Sequence, residues 1–323
     1  MSPSGAPVGG APGEDALRDP GEGAPVGGVV ATRSVVAIGG GHGLAATLSA
    51  ARRLPVALTA VVSVADDGGS SGRLRAEADQ PAPGDLRRCL LALADRPSAL
   101  TRVMEHRYES GELKGHSFGN LLLATMVESE GDLLAALHEV STLLGTVGRV
   151  LPATTACVEL VGTLEDGTDV LGQAAVVATA GLRSVRLEPV VVACERALAA
   201  IAAADTVLLG PGSLYTSVLA AAAVPGIIEA IAASGARVVY ICNLHPQPRE
   251  TEGYSAVEHV AALARHGLHP DVVVYDPDCI GPADGVAGAL AAPVADLTGL
   301  AHDAERLAAA LRPLVCEPLG AAR

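Results

Sequence analysis

From Ser34 onward, short β-branched runs alternate with Ala/Leu-rich stretches whose apolar positions recur at helical spacing. Val35–Ile38 predicts a first strand, Leu44–Arg53 the helix after it, and Leu58–Val64 a second strand. Pro83-Gly84 then leads to Asp85, which reads as the N-cap of a helix over Leu86–Ala94. Helices are also predicted over Ala99–Glu109, Phe118–Glu128 and Asp132–Leu144. Two alternating stretches follow, Thr155–Thr163 and Thr168–Gln173. Leu164-Glu165-Asp166-Gly167 joins them, and Asp-Gly between such runs signals a hairpin. This predicts a small antiparallel excursion at about 150–190.

After Pro189 the alternation resumes. Strands at Thr206–Leu209, Val238–Cys242 and Val272–Tyr275 interleave with helices at Cys194–Ala203, Leu214–Ala223, Ile227–Ser234 and Ser255–His266. A last strand around Pro293–Leu297 and a helix over Asp303–Leu311 complete the pattern. Repeated strand–helix units imply parallel strands with right-handed crossovers. The predicted fold is therefore α/β: one domain over 34–323 built on an open, doubly wound, mostly parallel sheet. Residues 1–33 are Gly, Pro, Ala and acid, with Ala-Pro-Val-Gly-Gly at both 6–10 and 24–28. Such a stretch cannot bury enough apolar surface to offset its ordering entropy, and a disordered tail is predicted there.

Composition narrows the function. The formal charge of −14 and an aromatic content of 2% argue against a nucleic-acid binder, which needs cations for phosphates and rings for bases. The six Cys form no C-x-x-C pair and lie in apolar stretches, as expected of reduced thiols in a cytoplasmic protein. Val218–Ala233, the greasiest stretch, is broken by Pro225, Gly226 and Glu229, which is wrong for a membrane span. The N-terminus shows no charged-then-apolar signal pattern.

Ligands of doubly wound sheets bind at the carboxyl ends of the strands, so the segments after strands carry the candidate chemistry. The first strand runs into Gly39-Gly40-Gly41-His42-Gly43-Leu44-Ala45-Ala46, whose last six residues fit G-x-G-x-x-A. Glycines let the backbone approach a phosphate, and the helix start supplies N–H donors. His42 reads as a loop residue near the ligand rather than a base. The second strand ends at Asp66-Asp67 before Gly68-Gly69-Ser70-Ser71-Gly72. This pair suits ribose hydroxyls, or Mg²⁺ shared with a substrate phosphate. A second glycine loop, Gly210-Pro211-Gly212-Ser213, follows Leu209, and two such loops suit a ligand with two phosphates. Ser117 and Asn120 sit in a polar helix start. Asn243, after the Val238–Cys242 strand, is placed to read a base edge or sugar, while Arg249 and Glu250 read equally well as surface charges. His245, His266 and His269 read as structural or surface residues. There is no G-x-x-x-x-G-K-[ST] and no H-E-x-x-H.

The motifs also resemble a known family. Gly39 to Leu44, Val64 to Arg75, Pro83 to Arg87, Gly115 to Leu121, Gly148 to Thr154, Leu209 to Ser217, Asn243-Leu244, Gln247-Pro248 and Glu250 to Tyr254 are similar to the YvcK family of gluconeogenesis factors, in its order. That family is related to CofD, the 2-phospho-L-lactate transferase. The resemblance implies a Rossmann-like fold that binds UDP-N-acetylglucosamine, and a cytoplasmic role in growth on gluconeogenic carbon, cell shape and peptidoglycan supply. It implies ligand contacts at Gly40, Gly41, His42, Gly43, Asp66, Asp67, Ser117, Asn120, Gly212, Ser213 and Asn243, with Mg²⁺ on Asp66 and Asp67 only if the chain is a CofD-like transferase. A regulated enzyme of cell-wall precursor supply is the partner it suggests; a homo-oligomer stays open. The chain departs from the family's usual residues at His42 (Thr), His245-Pro246 (Met-Thr) and Arg249 (Gly), which bears on nucleotide preference. A sensor without turnover, a transferase and a dehydrogenase are the competing readings. The third is weakened by the absence of any hydride-transfer constellation.

Overall fold

Val35, Val36, Ala37 and Ile38 are fully buried, as a central parallel strand covered on both faces requires. They lie in β1 (Arg33–Gly39), in a computed structural model that describes residues 32–78 and 80–317. The predicted tail lies, up to residue 31, outside the described residues. The other strands are β2 (Val56–Val62), β3 (Arg149–Pro152), β4 (Glu159–Leu164), β5 (Asp169–Leu171), β6 (Leu182–Glu188), β7 (Thr206–Leu209), β8 (Arg237–Ile241), β9 (Val272–Tyr275) and β10 (Ala289–Ala291).

Seven strands form a sheet in the order β10-β9-β8-β7-β1-β2-β3, and every pairing in it is parallel. The chain builds outward from β1 to β3, then returns to place β7 on the other side of β1. The strand order therefore reverses between β1 and β7, and a crevice opens there at the carboxyl ends. The two glycine loops follow those two strands. The fold brings them together because of this topology, although 166 residues, 44–209, lie between them.

The predicted hairpin is β4 with β5, but a third strand, β6, completes an antiparallel sheet in the order β5-β4-β6. Other expectations are corrected. The helix α3 (Pro83–Leu93) begins at Pro83 with Ala82 as its N-cap, so Asp85 lies inside the first turn; proline fits N1, where no N–H is needed. The Gly68–Gly72 stretch leads into the helix α2 (Gly69–Ala78), which the hydrophobic pattern does not predict. The last strand is β10, earlier than Pro293–Leu297, where only an isolated bridge joins Ala295 to His302. The other helices bearing on the site are α1 (Gly41–Ala51), α4 (Ala99–Glu105), α5 (Phe118–Glu130), α6 (Leu133–Leu144) and α7 (Gln173–Val177). Helix α4 ends four residues short of the predicted Glu109, because the chain turns at His106 to bridge Arg107 with Ser117.

The core spans both faces of the large sheet, and Cys89, Cys194 and Cys242 are buried in it. Burial pushes the Cys242 thiol up to about 12, so it stays protonated. Among the described residues no single helix is long and apolar enough to cross a membrane. One bent pair, Leu214–Ala222 with Ile227–Ser234, passes by length and composition, and its first half is almost wholly core.

Candidate functional site

The two glycine loops touch backbone to backbone. A Cβ on Gly43 would lie 2.2 Å from the Pro211 carbonyl oxygen and 2.6 Å from the Gly212 Cα. Only glycine lets α1 start this close to the second loop. Gly40 is the N-cap of α1 and has no side chain to accept from the first-turn amides. Asn243 pins the second loop from behind: Gly212 N–H donates to its Oδ1 (2.9 Å) and its Nδ2 donates to the Gly212 carbonyl (2.9 Å). Asn243 thus works first as a buttress, with one donor and one acceptor position left for a ligand.

A cleft of about 470 Å³ opens above these loops, reached by Gly40, Gly41, His42, Gly43, Asp66, Asn120, Gly212 and Ser213 of the predicted residues. A second cavity of about 300 Å³, with Leu244, Pro246, Pro248 and Leu300 in its wall, shares His42, Gly43, Gly212 and Gln247 with the first. Both volumes suit a small ligand with one polar and one less polar end.

Three predicted residues do not line the main cleft. Asp67 points away from Asp66: its Oδ1 accepts from Ala174 N–H (2.9 Å) in the first turn of α7, and it borders a separate surface cleft with Arg75 and Glu159. The adjacent carboxylates therefore do not converge on one ion. Ser117 lies behind the wall. Its hydroxyl donates to the Met104 carbonyl (3.3 Å) and its N–H to Ser70 Oγ (3.3 Å). Asn243 lines the second cavity rather than the first.

The cleft gains charged groups that sequence reasoning had not selected. Arg87, Arg88 and Arg107 face Asp66 and Asp85, so cations outnumber anions there although the whole chain is strongly acidic. Asn120 holds Arg87 in place, accepting from Nε at 2.8 Å, while its own Nδ2 donates to Ser71 Oγ (3.4 Å). Burial pushes Arg87 down to about 10, with Arg88 and Arg107 adding repulsion; it remains a cation at neutral pH. Arg88 pairs with Asp85 at 2.5 Å. Burial raises the Asp85 carboxyl above its ordinary range; Arg88 opposes that shift, and the Asp66 charge adds to it. The Pro83-Gly84-Asp85-Leu86-Arg87 run was the available signal, since a helix starting at its proline carries both Asp85 and Arg87 inward.

His42 is exposed at the rim. Partial burial, then Arg88 and Arg87, lower its pKa, so it is neutral at pH 7. An anionic ligand would favour its charged form, so anion affinity should rise as pH falls through that lowered pKa. His42→Asn is expected to remove this increment, as read by calorimetry over a descending pH series, and to change little at pH 7.5.

The architecture is thus a cationic cleft between two glycine loops at a switch point of an α/β sheet. The model of the family described as 2-phospho-L-lactate transferase CofD matches residues 35–295. The chain belongs to the CofD family. It is 46% identical over 249 residues to a protein of Halalkalibacterium halodurans named gluconeogenesis factor, covering 75% of this chain and 77% of that one. It is 43% identical over 239 residues to the gluconeogenesis factor of Bacillus subtilis, covering 72% and 74%. A crystal structure of a UPF0052-family protein from Bacillus halodurans superposes with a TM-score of 0.83 at 39% identity, over 88% of this chain and 99% of that one.

In this CofD-family chain the second glycine loop has a further anchor. Glu250, 2% exposed, accepts from Tyr215 N–H (2.8 Å) and Thr216 N–H (3.0 Å) at the start of the π-helical turn Leu214–Leu219. Of the Arg249–Glu250 pair, only Arg249 is a surface charge; Glu250 is a structural acid beneath the loop. His266 is structural as expected: its Nδ1–H donates to the Ala262 carbonyl (2.8 Å) and its Nε2 accepts from Val185 N–H (3.1 Å).

Proposed function

We propose that this protein binds a nucleotide diphosphate sugar, UDP-N-acetylglucosamine, and acts as a regulatory factor without turning it over. The carrying observation is the cationic cleft at the switch point, where Arg87, Arg88 and the α1 start meet the second glycine loop. Fixed donors and cations there suit a diphosphate, and the adjoining less polar cavity suits a heterocycle. The family resemblance supplies the ligand's identity, and the name of the relatives supplies the context. We place the protein in the cytoplasm, supporting growth on gluconeogenic carbon, cell shape and peptidoglycan supply through an enzyme of cell-wall precursor supply. Such regulation requires that the ligand bind two conformations, or two assembly states, unequally.

Calorimetric titration with UDP-N-acetylglucosamine tests the reading. Saturable binding is expected with and without Mg²⁺, and Arg87→Met should weaken it by at least ~10-fold through loss of a charge-assisted contact. Asp67→Asn should bind like wild type. Absence of saturable heat in the wild type would contradict the proposal.

One observation favours a second reading, a CofD-like transferase that moves a phospho-acid group from a nucleotide conjugate to an alcohol. Asp66 and Asp85 stand in the same cleft and feel each other's charge. Two carboxylate donors fit Mg²⁺, and they replace the Asp66–Asp67 pair as its holders. Bound there, Mg²⁺ would neutralise charge on a leaving diphosphate. Turnover with added Mg²⁺, lost in Asp66→Asn and Asp85→Asn but kept in Asp67→Asn, would establish this reading instead.

A further inference from the structure

The surface cleft bordered by Asp67 is a groove of about 820 Å³, separate from the two cavities above, with Arg75, Glu159, Glu188 and Pro189 also in its wall. It shares two helices with the main cleft. Asp67 is wedged between them: a Cβ on Gly72 of α2 would lie 1.9 Å from its carbonyl oxygen, and one on Gly172, the N-cap of α7, 2.7 Å from its Oδ2. The same helices give Ser70 and Ser71, and Gln173 and Val177, to the main cleft. The groove is acidic, unlike that cleft. Glu159 and Glu188 stand directly opposite in the β4–β6 pairing, where like charges repel unless a cation lies between. Arg186 relieves only Glu188, donating to it at 2.8 Å while also donating to Asp169 (2.8 Å). The Glu159 carboxylate, half-buried, makes no hydrogen bond or ion pair among the described residues.

From Pro189 the chain runs on through Val190, 83% exposed, to Val192, 82% exposed. This segment is tied down: Thr154 Oγ1 donates to the Val192 carbonyl (2.8 Å), and Cys194 N–H donates to the Ala153 carbonyl (2.9 Å). Branched apolar side chains held in water by an ordered segment, next to an acidic groove, form a contact surface for something apolar and cationic. Charge decides the occupant. Residues 1–31 of the chain carry Glu14, Asp15, Asp19 and Glu22 against Arg18, the wrong sign for the groove. A second copy docked groove to groove would set Glu159 and Glu188 against the same acids. We propose that this groove docks a protein partner through a segment that interleaves Lys or Arg with apolar residues, and that nucleotide binding is felt there through α2 and α7. The inference rests on the regulatory reading above and adds the surface through which it acts.

The test is fluorescence anisotropy of the full chain with a labelled Leu-Lys-Val-Arg-Ala-Lys peptide, at about 0.15 M salt to screen attraction to the chain's overall negative charge. The same peptide with Glu and Asp for its cations is the control. Saturable binding of the basic peptide alone is expected. Glu159→Lys should weaken it by at least ~10-fold, and Val190→Ser with Val192→Ser by a similar factor. Glu139→Lys, the same charge change at an exposed position of α6 outside the groove, should leave it unchanged. Glu159→Gln serves if the lysine variant does not fold. Saturating UDP-N-acetylglucosamine should shift the peptide Kd by at least ~3-fold. No binding, equal binding of both peptides, equal losses in Glu159→Lys and Glu139→Lys, or a Kd indifferent to bound nucleotide overturns the inference and leaves the nucleotide reading standing. A wild-type dimer in sedimentation that Glu159→Lys dissolves assigns the groove to a second copy and overturns it too. Peptide binding by a chain that takes no UDP-N-acetylglucosamine overturns the nucleotide reading and not the docking groove.

Discussion

Gly43→Ala should abolish ligand binding and destabilise the fold, although its side chain adds a single methyl group. The added carbon would sit 2.2 Å from the Pro211 carbonyl oxygen and 2.6 Å from the Gly212 Cα, both backbone atoms. Neither can step aside as a flexible side chain would. Asn243 clamps Gly212 from one side, and the Glu250 carboxylate fixes the turn that follows. The loops must therefore part, which costs about 3 kcal/mol by analogy with overpacked cores. Displacing the amides proposed to bind phosphate by an ångström or so should lower affinity by ~100-fold or more. Gly131→Ala is the contrast. It ends α5 at φ +69 with nothing within 4 Å of the added carbon, so it should cost only about 1 kcal/mol of backbone strain and leave affinity unchanged. Denaturant midpoints and calorimetric titration of the two variants separate these effects.

Glu250→Leu should be the most destabilising single substitution near the site. It strands the Tyr215 and Thr216 amides and deprives the Thr216 hydroxyl of its acceptor at 3.3 Å, all in the buried interior. At about 1–3 kcal/mol for each group left unsatisfied, a loss of about 3–5 kcal/mol is expected from urea unfolding. Glu250→Gln keeps an acceptor oxygen and should lose far less. The pH dependence distinguishes the two further. Burial raises the Glu250 carboxyl above its ordinary range, against the pull of the Thr216 and Tyr215 amides. The folded state then binds the proton more readily than the unfolded chain. This term is fully present below the unfolded carboxylate pKa and is lost as pH rises through the folded one. Glu250→Gln should remove that part of the decline in stability with rising pH; Asp85, raised in the same sense, leaves its own part in place.

The large sheet was legible because its strands are buried on both faces and read as unbroken β-branched runs, Val35–Ile38 and Val272–Tyr275 among them. Strands β3 and β6 were not. β3 is four residues at the sheet edge and contains Pro152, while β6 alternates Leu182, Val185 and Leu187 with Arg183, Arg186 and Glu188, a half-exposed pattern that a hairpin signal does not require. The glycine loops were legible from composition and from their place after strands. Their contact was not, because it depends on the β1–β7 neighbourhood, a property of strand order alone. Asp67 misled for a related reason. Both lie in irregular chain beyond the end of β2 at Val62, where strand alternation no longer sets direction: Asp66 lines the cleft while Asp67 accepts from the first turn of α7, a helix brought in by the small sheet. The same helix contributes Gln173 and Val177 to the cleft wall, so the antiparallel excursion is part of the site.

The central claim, binding of a nucleotide sugar without its consumption, is tested most directly by phosphorus NMR of UDP-N-acetylglucosamine mixed with an equal amount of protein, with Mg²⁺ present, followed overnight. Shifted or broadened diphosphate resonances that persist, with no UDP signal emerging, are the predicted result. Resonances identical to those of the free ligand, or their steady replacement by UDP, would contradict it.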